Sequence, residues 1–302
     1  MLRFQRTIKA AMHCEGIGLH TGKKVRMSLK PAPIDTGIIF KRTDLGGTEI
    51  KAVAANTAAT SYATTLCENG ASVKTVEHLL AAFAGLGIDN VSVEIDAEEV
   101  PVMDGSAAPF VKLIADAGVL AQERPRPVLK VTNPVFVREG NKQIAIWPSD
   151  KPSISYFIDF NHPLLKEQSL HFPVSEEGFL REIADARTFG FMSDVQELWA
   201  NGLAMGGSMD NAVILGEKTV LNKEGLRHKD EFVRHKILDL IGDLSLAGMP
   251  ILGHIVAHKS GHGLNKLMVS KLLSSPQSWI VLGSEEAAEK PREVLYRQQM
   301  AL

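Results

Sequence analysis

His235, Asp239 and Asp243 recur at four-residue intervals in Phe232-Val-Arg-His-Lys-Ile-Leu-Asp-Leu-Ile-Gly-Asp-Leu244. Residues four apart on a helix project from one face, so an imidazole and a carboxylate spaced this way can close on one cation. Solvated helix surfaces carry the same pairs, and spacing alone supports either reading. The intervening Phe232, Val233, Ile237, Leu238, Leu240, Ile241 and Leu244 are apolar and pin the helix into a core. Lys236, beside His235, reads equally as an anion contact or as a solvent-facing lysine.

Two further segments would complete a hydrolytic set. Lys74-Thr-Val-Glu-His-Leu-Leu-Ala81 offers His78 as a third ligand and Glu77 as a base. Neighbours on a helix point about 100° apart, so both can line one cleft; the alternative is a helix-start glutamate and a partly buried histidine. Lys259-Ser-Gly-His-Gly-Leu-Asn265 places His262 between two glycines, whose backbone freedom allows close approach to a ligand. A plain loop histidine is the competing reading. Asp243 could accept a hydrogen bond from His262, raise its pKa and keep it protonated as an acid, or it could simply cap the helix. The metalloprotease patterns are absent: no His-Glu-x-x-His occurs, and Lys74 stands where His-x-x-Glu-His needs its first histidine.

Ala186-Arg-Thr-Phe-Gly-Phe191 contributes the hydroxyl of Thr188, which could donate to an oxyanion. Gly202-Leu-Ala-Met-Gly-Gly-Ser-Met-Asp-Asn-Ala-Val-Ile-Leu215 mixes small residues with Leu203, Met205, Met209, Val213 and Ile214. Small residues leave room and methionines fill irregular space, as a channel for an acyl chain needs; a buried strand pair fits the composition equally.

These residues must be held by a fold of some size. With 302 residues the chain is long enough for two domains. Its 45% hydrophobic and 23% charged residues exclude a disordered polymer. A net charge of -2 with no basic run argues against a nucleic-acid partner. Cys14 and Cys67 lack metal-type spacing, which disfavours a disulfide framework and suits a reducing compartment. Arg6 and Lys9 interrupt the N-terminal segment before a signal-peptide core develops, and no apolar run approaches the roughly 20 residues that span a bilayer. The expectation is a cytoplasmic protein without a transmembrane segment.

Strands are expected at Val25–Leu29, Gly37–Phe40, Val91–Ile95, Val128–Val131, Pro134–Val137, Gln143–Trp147 and Ser153–Ile158. Helices are expected over Thr75–Ala84, stopped by Gly85 or Gly87, over Ala107–Ala117, and over Asp230–Ala247, stopped by Gly248 and Pro250. Pro101–Ser106 reads as a turn. Glu123-Arg-Pro-Arg-Pro127 reads as an exposed linker, and the glutamate-rich tail after Ser284 as a surface helix or frayed end. The fold class is α+β, with an N-terminal domain over 1–122, a linker over 123–127 and a C-terminal domain over 128–302. Both halves run from strands to helix, which hints at duplication, although no sequence repeat is evident.

The chain resembles the zinc-dependent UDP-3-O-acyl-N-acetylglucosamine deacetylases of lipid A synthesis in Gram-negative bacteria. The likeness runs nearly end to end and rests on Gly16-Ile-Gly-Leu-His-Thr-Gly22, Thr75-Val-Glu-His-Leu79, Pro101-Val-Met-Asp-Gly-Ser-Ala-Ala-Pro-Phe110 and Asp159-Phe-Asn-His-Pro163. It continues through Ala186–Phe191, Phe232–Asp239 and Ser260-Gly-His-Gly-Leu-Asn265. The resemblance implies two domains, each a layered sheet-and-helix sandwich, with the active site between them. It implies that His78, His235 and Asp239 bind zinc, a set that iron could also occupy. Glu77 would be the base, His262 the acid, Asp243 its orienting partner and Thr188 an oxyanion donor. Lys142 and Phe160 match nucleotide-holding positions and Lys236 a substrate contact. Phe189, Phe191 and an insert near 190–215, with Met205 and Ser208, match an acyl-chain passage. A monomer acting on a UDP-sugar acyl substrate is expected. Two other readings share parts of this pattern: a zinc amidase for a non-nucleotide substrate, and a lipid- or nucleotide-binding protein without turnover.

Overall fold

Apolar residues alternate along most strands of this chain, so each sheet has one face to bury and one to expose. A computed structural model describes residues 4–283. Up to residue 125 the strands are β1 (Phe4–Ile8), β2 (Met12–Ile17), β3 (Lys24–Pro31), β4 (Ile38–Arg42), β5 (Thr48–Lys51), β6 (Thr57–Ala59), β7 (Thr65–Glu68) and β8 (Ala71–Val73), then β9 (Val91–Ile95) and β10 (Val119–Pro125). From residue 128 they are β11 (Val128–Val131), β12 (Val135–Glu139), β13 (Lys142–Trp147), β14 (Ser153–Ile158), β15 (Gln168–Pro173), β16 (Phe189–Phe191), β17 (Val213–Leu215), β18 (Ile251–Leu252), β19 (His254–His258) and β20 (Trp279–Leu282). Among the described residues the α-helices are α1 (Glu77–Leu86), α2 (Ala108–Ala117), α3 (Glu176–Glu182), α4 (Met192–Ala200), α5 (Glu231–Ser245) and α6 (His262–Leu273). The class is α+β, as expected.

Two five-stranded sheets dominate, ordered β2-β3-β9-β4-β5 and β12-β13-β19-β14-β15. In each, one neighbouring pair runs parallel, β4 with β9 and β14 with β19, and the rest are antiparallel. The two orders are the same pattern, so the duplication hinted at by the sequence exists as topology. The smaller sheets are β1-β10, β6-β7-β8, β18-β11-β20 and the parallel pair β16-β17. Every strand partner of β1–β10 lies within β1–β10, and every partner of β11–β20 within β11–β20.

Helices α1 and α5 join the two sets of sheets, packing on each other through continuous apolar core. They touch backbone to backbone at Gly242, where an added Cβ would collide with the backbone carbonyl of Glu77. Only a residue without a side chain permits that crossing.

The expected helix over Thr75–Ala84 begins two residues later, at Glu77. Thr75 has φ 57°, a left-handed conformation outside the helix, and its hydroxyl donates to Glu99 Oε1 at 2.8 Å. Gly87 ends α1 with φ 66°, in the manner of a left-handed C-cap. The proposed linker is largely strand: Glu123, Arg124 and Pro125 finish β10, and Pro125 pairs with Phe4. Proline is tolerated at such a strand end. Arg126 is tied to Asp89 at 2.6 Å, so the remaining connection is held rather than loose. Of the Gly202–Leu215 segment only Val213–Leu215 is strand, paired with Phe189–Phe191; what precedes it is mostly exposed loop. The tail after Ser284 lies outside the described residues.

Gly242→Val should force α1 and α5 apart. Thermal denaturation should show a stability loss of at least the ~1–3 kcal/mol typical of overpacking, accompanied by weaker metal retention. An unchanged melting temperature would mean that the crossing tolerates a side chain.

Candidate active site

His78 sits in the first turn of α1, and His235 and Asp239 on one face of α5; all three are at most 5% exposed. Asp239 Oδ1 lies 3.3 Å from His235 Nε2 and 3.5 Å from His78 Nε2, and the two rings meet edge-on with centroids 4.9 Å apart. The candidate ligand atoms of the three residues all lie within 4.8 Å of one another. The solvated-surface reading of this helix face is therefore wrong.

Whether the group suits a cation can be judged from its hydrogen bonds. His235 Nδ1 is 3.0 Å from the Ala186 carbonyl, which can only accept, so the proton resides on Nδ1 and Nε2 presents a lone pair. That lone pair faces a carboxylate oxygen. Two acceptors facing one another need a proton or a cation between them. Burial pushes the His235 imidazole down to about 3, which favours the neutral form that ligates metals. Burial works the opposite way on Asp239, but positive charge nearby, that of Lys236 included, holds the carboxyl well below its usual range. Lys236 Nζ contacts Asp239 Oδ2 at 2.5 Å. This lysine points inward, and its solvent-facing reading fails.

Asp243, one turn further along α5, is 2% exposed rather than a solvated or capping residue. Its Oδ2 accepts from His262 Nδ1 at 2.8 Å and from Asn265 Nδ2 at 2.8 Å, and its Oδ1 from the Thr64 hydroxyl at 2.6 Å. His262 is the first residue of α6, where the helix dipole disfavours a cation. Burial also opposes its charge, yet Asp243 and then Glu77 more than offset both and raise the imidazole to about 9. The glycine-flank argument does not hold: Gly261 is extended and Gly263 helical, and the left-handed residue of this turn is Lys259, with φ 52°.

Glu77 lies across from this pair, with Oε1 3.8 Å from His262 Nε2 and Oε2 accepting from the Thr64 amide at 3.0 Å. Burial pushes its carboxyl above the ordinary value, partly countered by His262 and His78. Glu77, His78, His235, Asp239 and Asp243, all buried, thus form one cluster with the half-buried His262. Thr64 was missed. It lies in Ala63-Thr-Thr65, a polar stretch without periodicity, and only the folded chain reveals that it bonds both Asp243 and Glu77.

Thr188 is half-buried, two residues beyond the Ala186 carbonyl that orients His235. Its backbone is pinned by Gly105 and Val213, and its hydroxyl has no partner among the described residues. Arg187 anchors the same segment through Glu231, a fully buried ion pair at 2.8 Å. Phe189 packs edge-on against His235 (centroids 6.2 Å), Phe232 (5.1 Å) and Phe160 (5.8 Å), and Phe160 meets Phe191 at 6.0 Å. The expected aromatic positions therefore form one cluster beside the histidines.

Lys142 is exposed at the start of β13. The register Gln143↔His258↔Phe157 puts it at the sheet end where β14 leads to Phe160 and β19 to His262, but its side chain makes no hydrogen bond or ion pair among the described residues. Met205 is 58% exposed and Ser208 lies in the same exposed loop. That loop docks on another: Met205 N donates to His20 O at 3.2 Å and Gly206 N to Leu19 O at 3.0 Å. Buried Glu99 secures the receiving loop through the His20 and Thr21 amides at 2.9 and 2.8 Å.

Residues 5–274 match the family model LpxC, UDP-3-O-acyl N-acetylglycosamine deacetylase. The UDP-3-O-acyl-N-acetylglucosamine deacetylase of Syntrophus aciditrophicus (strain SB) is 50% identical over 277 residues, covering 91% of this chain and 88% of that protein. The protein of the same name from Hahella chejuensis (strain KCTC 2396) is 48% identical, covering 95% of this chain and 96% of its own. That from Myxococcus xanthus (strain DK1622) is 50% identical, over 92% and 89%. With the model spanning most of the chain and half the residues shared with such relatives, the chain belongs to the LpxC family of UDP-3-O-acyl N-acetylglycosamine deacetylases.

Proposed function

We propose that this chain hydrolyses the acetamide of a UDP-3-O-acyl-N-acetylglucosamine, the deacetylation for which its relatives are named, as a step of lipid A biosynthesis. The observation that carries the reading is His262, held by Asp243 at 2.8 Å with its other nitrogen 3.8 Å from Glu77, beside three convergent metal donors. A proton donor and a proton acceptor side by side, next to a cation site, are the pair that amide hydrolysis requires.

In this reading His78, His235 and Asp239 hold zinc, or iron in its place. A divalent ion there polarises a carbonyl and lowers the pKa of water towards about 7. Glu77 takes the proton of the attacking water, a role that suits a carboxyl whose pKa is raised by burial. The Thr188 hydroxyl, free among the described residues, donates to the oxygen that gains charge. An amine leaves poorly unless protonated, and His262 Nε2 delivers that proton as the tetrahedral species collapses. Asp243 keeps His262 charged and its ring oriented. Acetate and a free amino sugar result. Phe160, with Lys142 at the neighbouring sheet end, holds the nucleotide, and Lys236 contacts substrate. Phe189, Phe191 and the loop with Met205 and Ser208 border the acyl chain.

The same proposal divides the chain into domains at 1–122 and 128–302 with the site between them, a boundary supported by the separate strand pairing of the two parts. It includes a monomer working in the cytoplasm. Among the described residues no helix is long and apolar enough to cross a membrane.

Acetate release from a UDP-3-O-(3-hydroxyacyl)-N-acetylglucosamine should stop on chelation and return with added zinc; release that ignores the chelator would refute the metal's role. Glu77→Gln and His262→Ala should each lower kcat about 10²–10⁴-fold, the usual worth of a positioned acid or base, while metal content stays at one per chain. Loss of metal in His262→Ala would make His262 a ligand instead. The profile of kcat/KM against pH should be bell-shaped. Activity requires protonated His262, so it falls as pH rises through about 9, and it requires ionised Glu77, so the acid limb lies above the ordinary carboxylate range. Asp243→Asn removes the largest influence holding His262 up and should move the basic limb to lower pH. A limb that stays in place would separate Asp243 from the acid.

A further inference from the structure

A cavity of about 540 Å³ opens between the two halves of the chain, and none of Glu77, His78, His235, Asp239, Asp243 or His262 lines it. Its volume lies within the range of small-molecule sites, roughly 300–1,000 Å³. Its walls come from the C-terminal parts of the two helices that carry the catalytic cluster: Leu80 and Phe83 of α1 face Ile241 and Leu244 of α5. Ile154 of β14 and Phe179 of α3 extend this apolar surface.

The mouth is charged. Gly87, the left-handed cap of α1, lies where the guanidiniums of Arg126 and Arg6 meet; a Cβ there would be 3.3 Å from one and 3.7 Å from the other. Arg6 is committed to the Leu86 carbonyl and to Glu176. Arg126 uses only Nε, on Asp89 at 2.6 Å, and no hydrogen bond among the described residues engages its two terminal nitrogens. Its side chain is nevertheless only 14% exposed. A half-used guanidinium at the rim of an apolar cavity is built to receive a planar anion.

From this juxtaposition we propose that the cavity is a second ligand site, separate from the active site, for a single-chain amphiphile with an anionic head: a fatty-acid carboxylate, its chain between α1 and α5 and its head on Arg126.

Sodium myristate is the probe, added below its aggregation concentration to the full, metal-loaded chain with isoleucine methyls labelled for NMR. The methyls of Ile154 and Ile241 should shift on titration. Arg126→Ala should weaken that binding about 5–10-fold. Ala84→Trp and Ser245→Trp fill the cavity from opposite walls and should abolish the shifts while metal content and acetate release persist. A crevice that merely holds solvent predicts no shift at Ile154 or Ile241 in the native chain, and that result would overturn the proposal. So would shifts that survive in both folded tryptophan variants, or that substrate competes away, since these would place the chain in the active site.

Discussion

The site exists only because two helices touch backbone to backbone. Gly242 lies between Asp239 and Asp243 on α5, and the Glu77 carbonyl occupies the space a side chain at 242 would fill. The contact therefore inserts the first turn of α1 between the two acids of α5. His78 is directed to Asp239, and Glu77 to the pair formed by Asp243 and His262. Residues at least 161 apart in sequence thus meet through one absent Cβ, and no local feature of either helix would suffice.

Such a cluster is costly to bury. An isolated charge inside a protein is unfavourable by several kcal/mol unless paired and hydrogen-bonded. Here the pairing is nearly complete: Lys236 on Asp239, and His262, Asn265 and Thr64 on Asp243. The exception is the face between His235 and Asp239, where the imidazole lone pair meets a carboxylate oxygen beside His78. That local imbalance is the physical signature of a cation site, and it follows from where the Ala186 carbonyl sits. Asp243 gains its influence from the same burial. In water a carboxylate 2.8 Å from an imidazole would be screened; here it outweighs both desolvation and an opposing helix dipole.

How much of this was legible in the sequence depended on whether the information was local. Four-residue spacing gave the shared face of His235, Asp239 and Asp243, because helix periodicity is a local property, and the strands of the large sheets were visible from alternation. Thr75 defeated the helix start, since its left-handed backbone is imposed by a hydrogen bond to Glu99, 24 residues on. Proline and charge mark residues 123–127 as exposed, which holds for Glu123 and Arg124, but they give no sign of the strand, because its pairing partner, Phe4, is far away in sequence. Thr64 and the Ala186 carbonyl carried no signal at all: one is an ordinary polar residue, the other a backbone atom common to every residue. The glycines around His262 carried a false one, their freedom going unused while Lys259 makes the turn. The family resemblance pointed to the site residues, but the reason each can act comes from these non-local contacts.

The repeated sheet topology explains why the chemistry comes from these helices. Helix α1 falls between β5 and β9, and α5 between β15 and β19, which are equivalent intervals in the two strand orders. The helix pair at the centre is thus formed by counterparts. Helices α2 and α6 then follow β9 and β19, and here equivalence ends: α6 opens on His262, whereas α2 opens on Ala108, preceded by a turn in which Asp104 caps Ser106. Both halves supply a histidine from the central helix, but only one supplies a histidine from the helix after it. That single imidazole is the one that faces Asp243 and Glu77. Departure from the repeat at this position is what turns a paired-helix frame into a site with a direction.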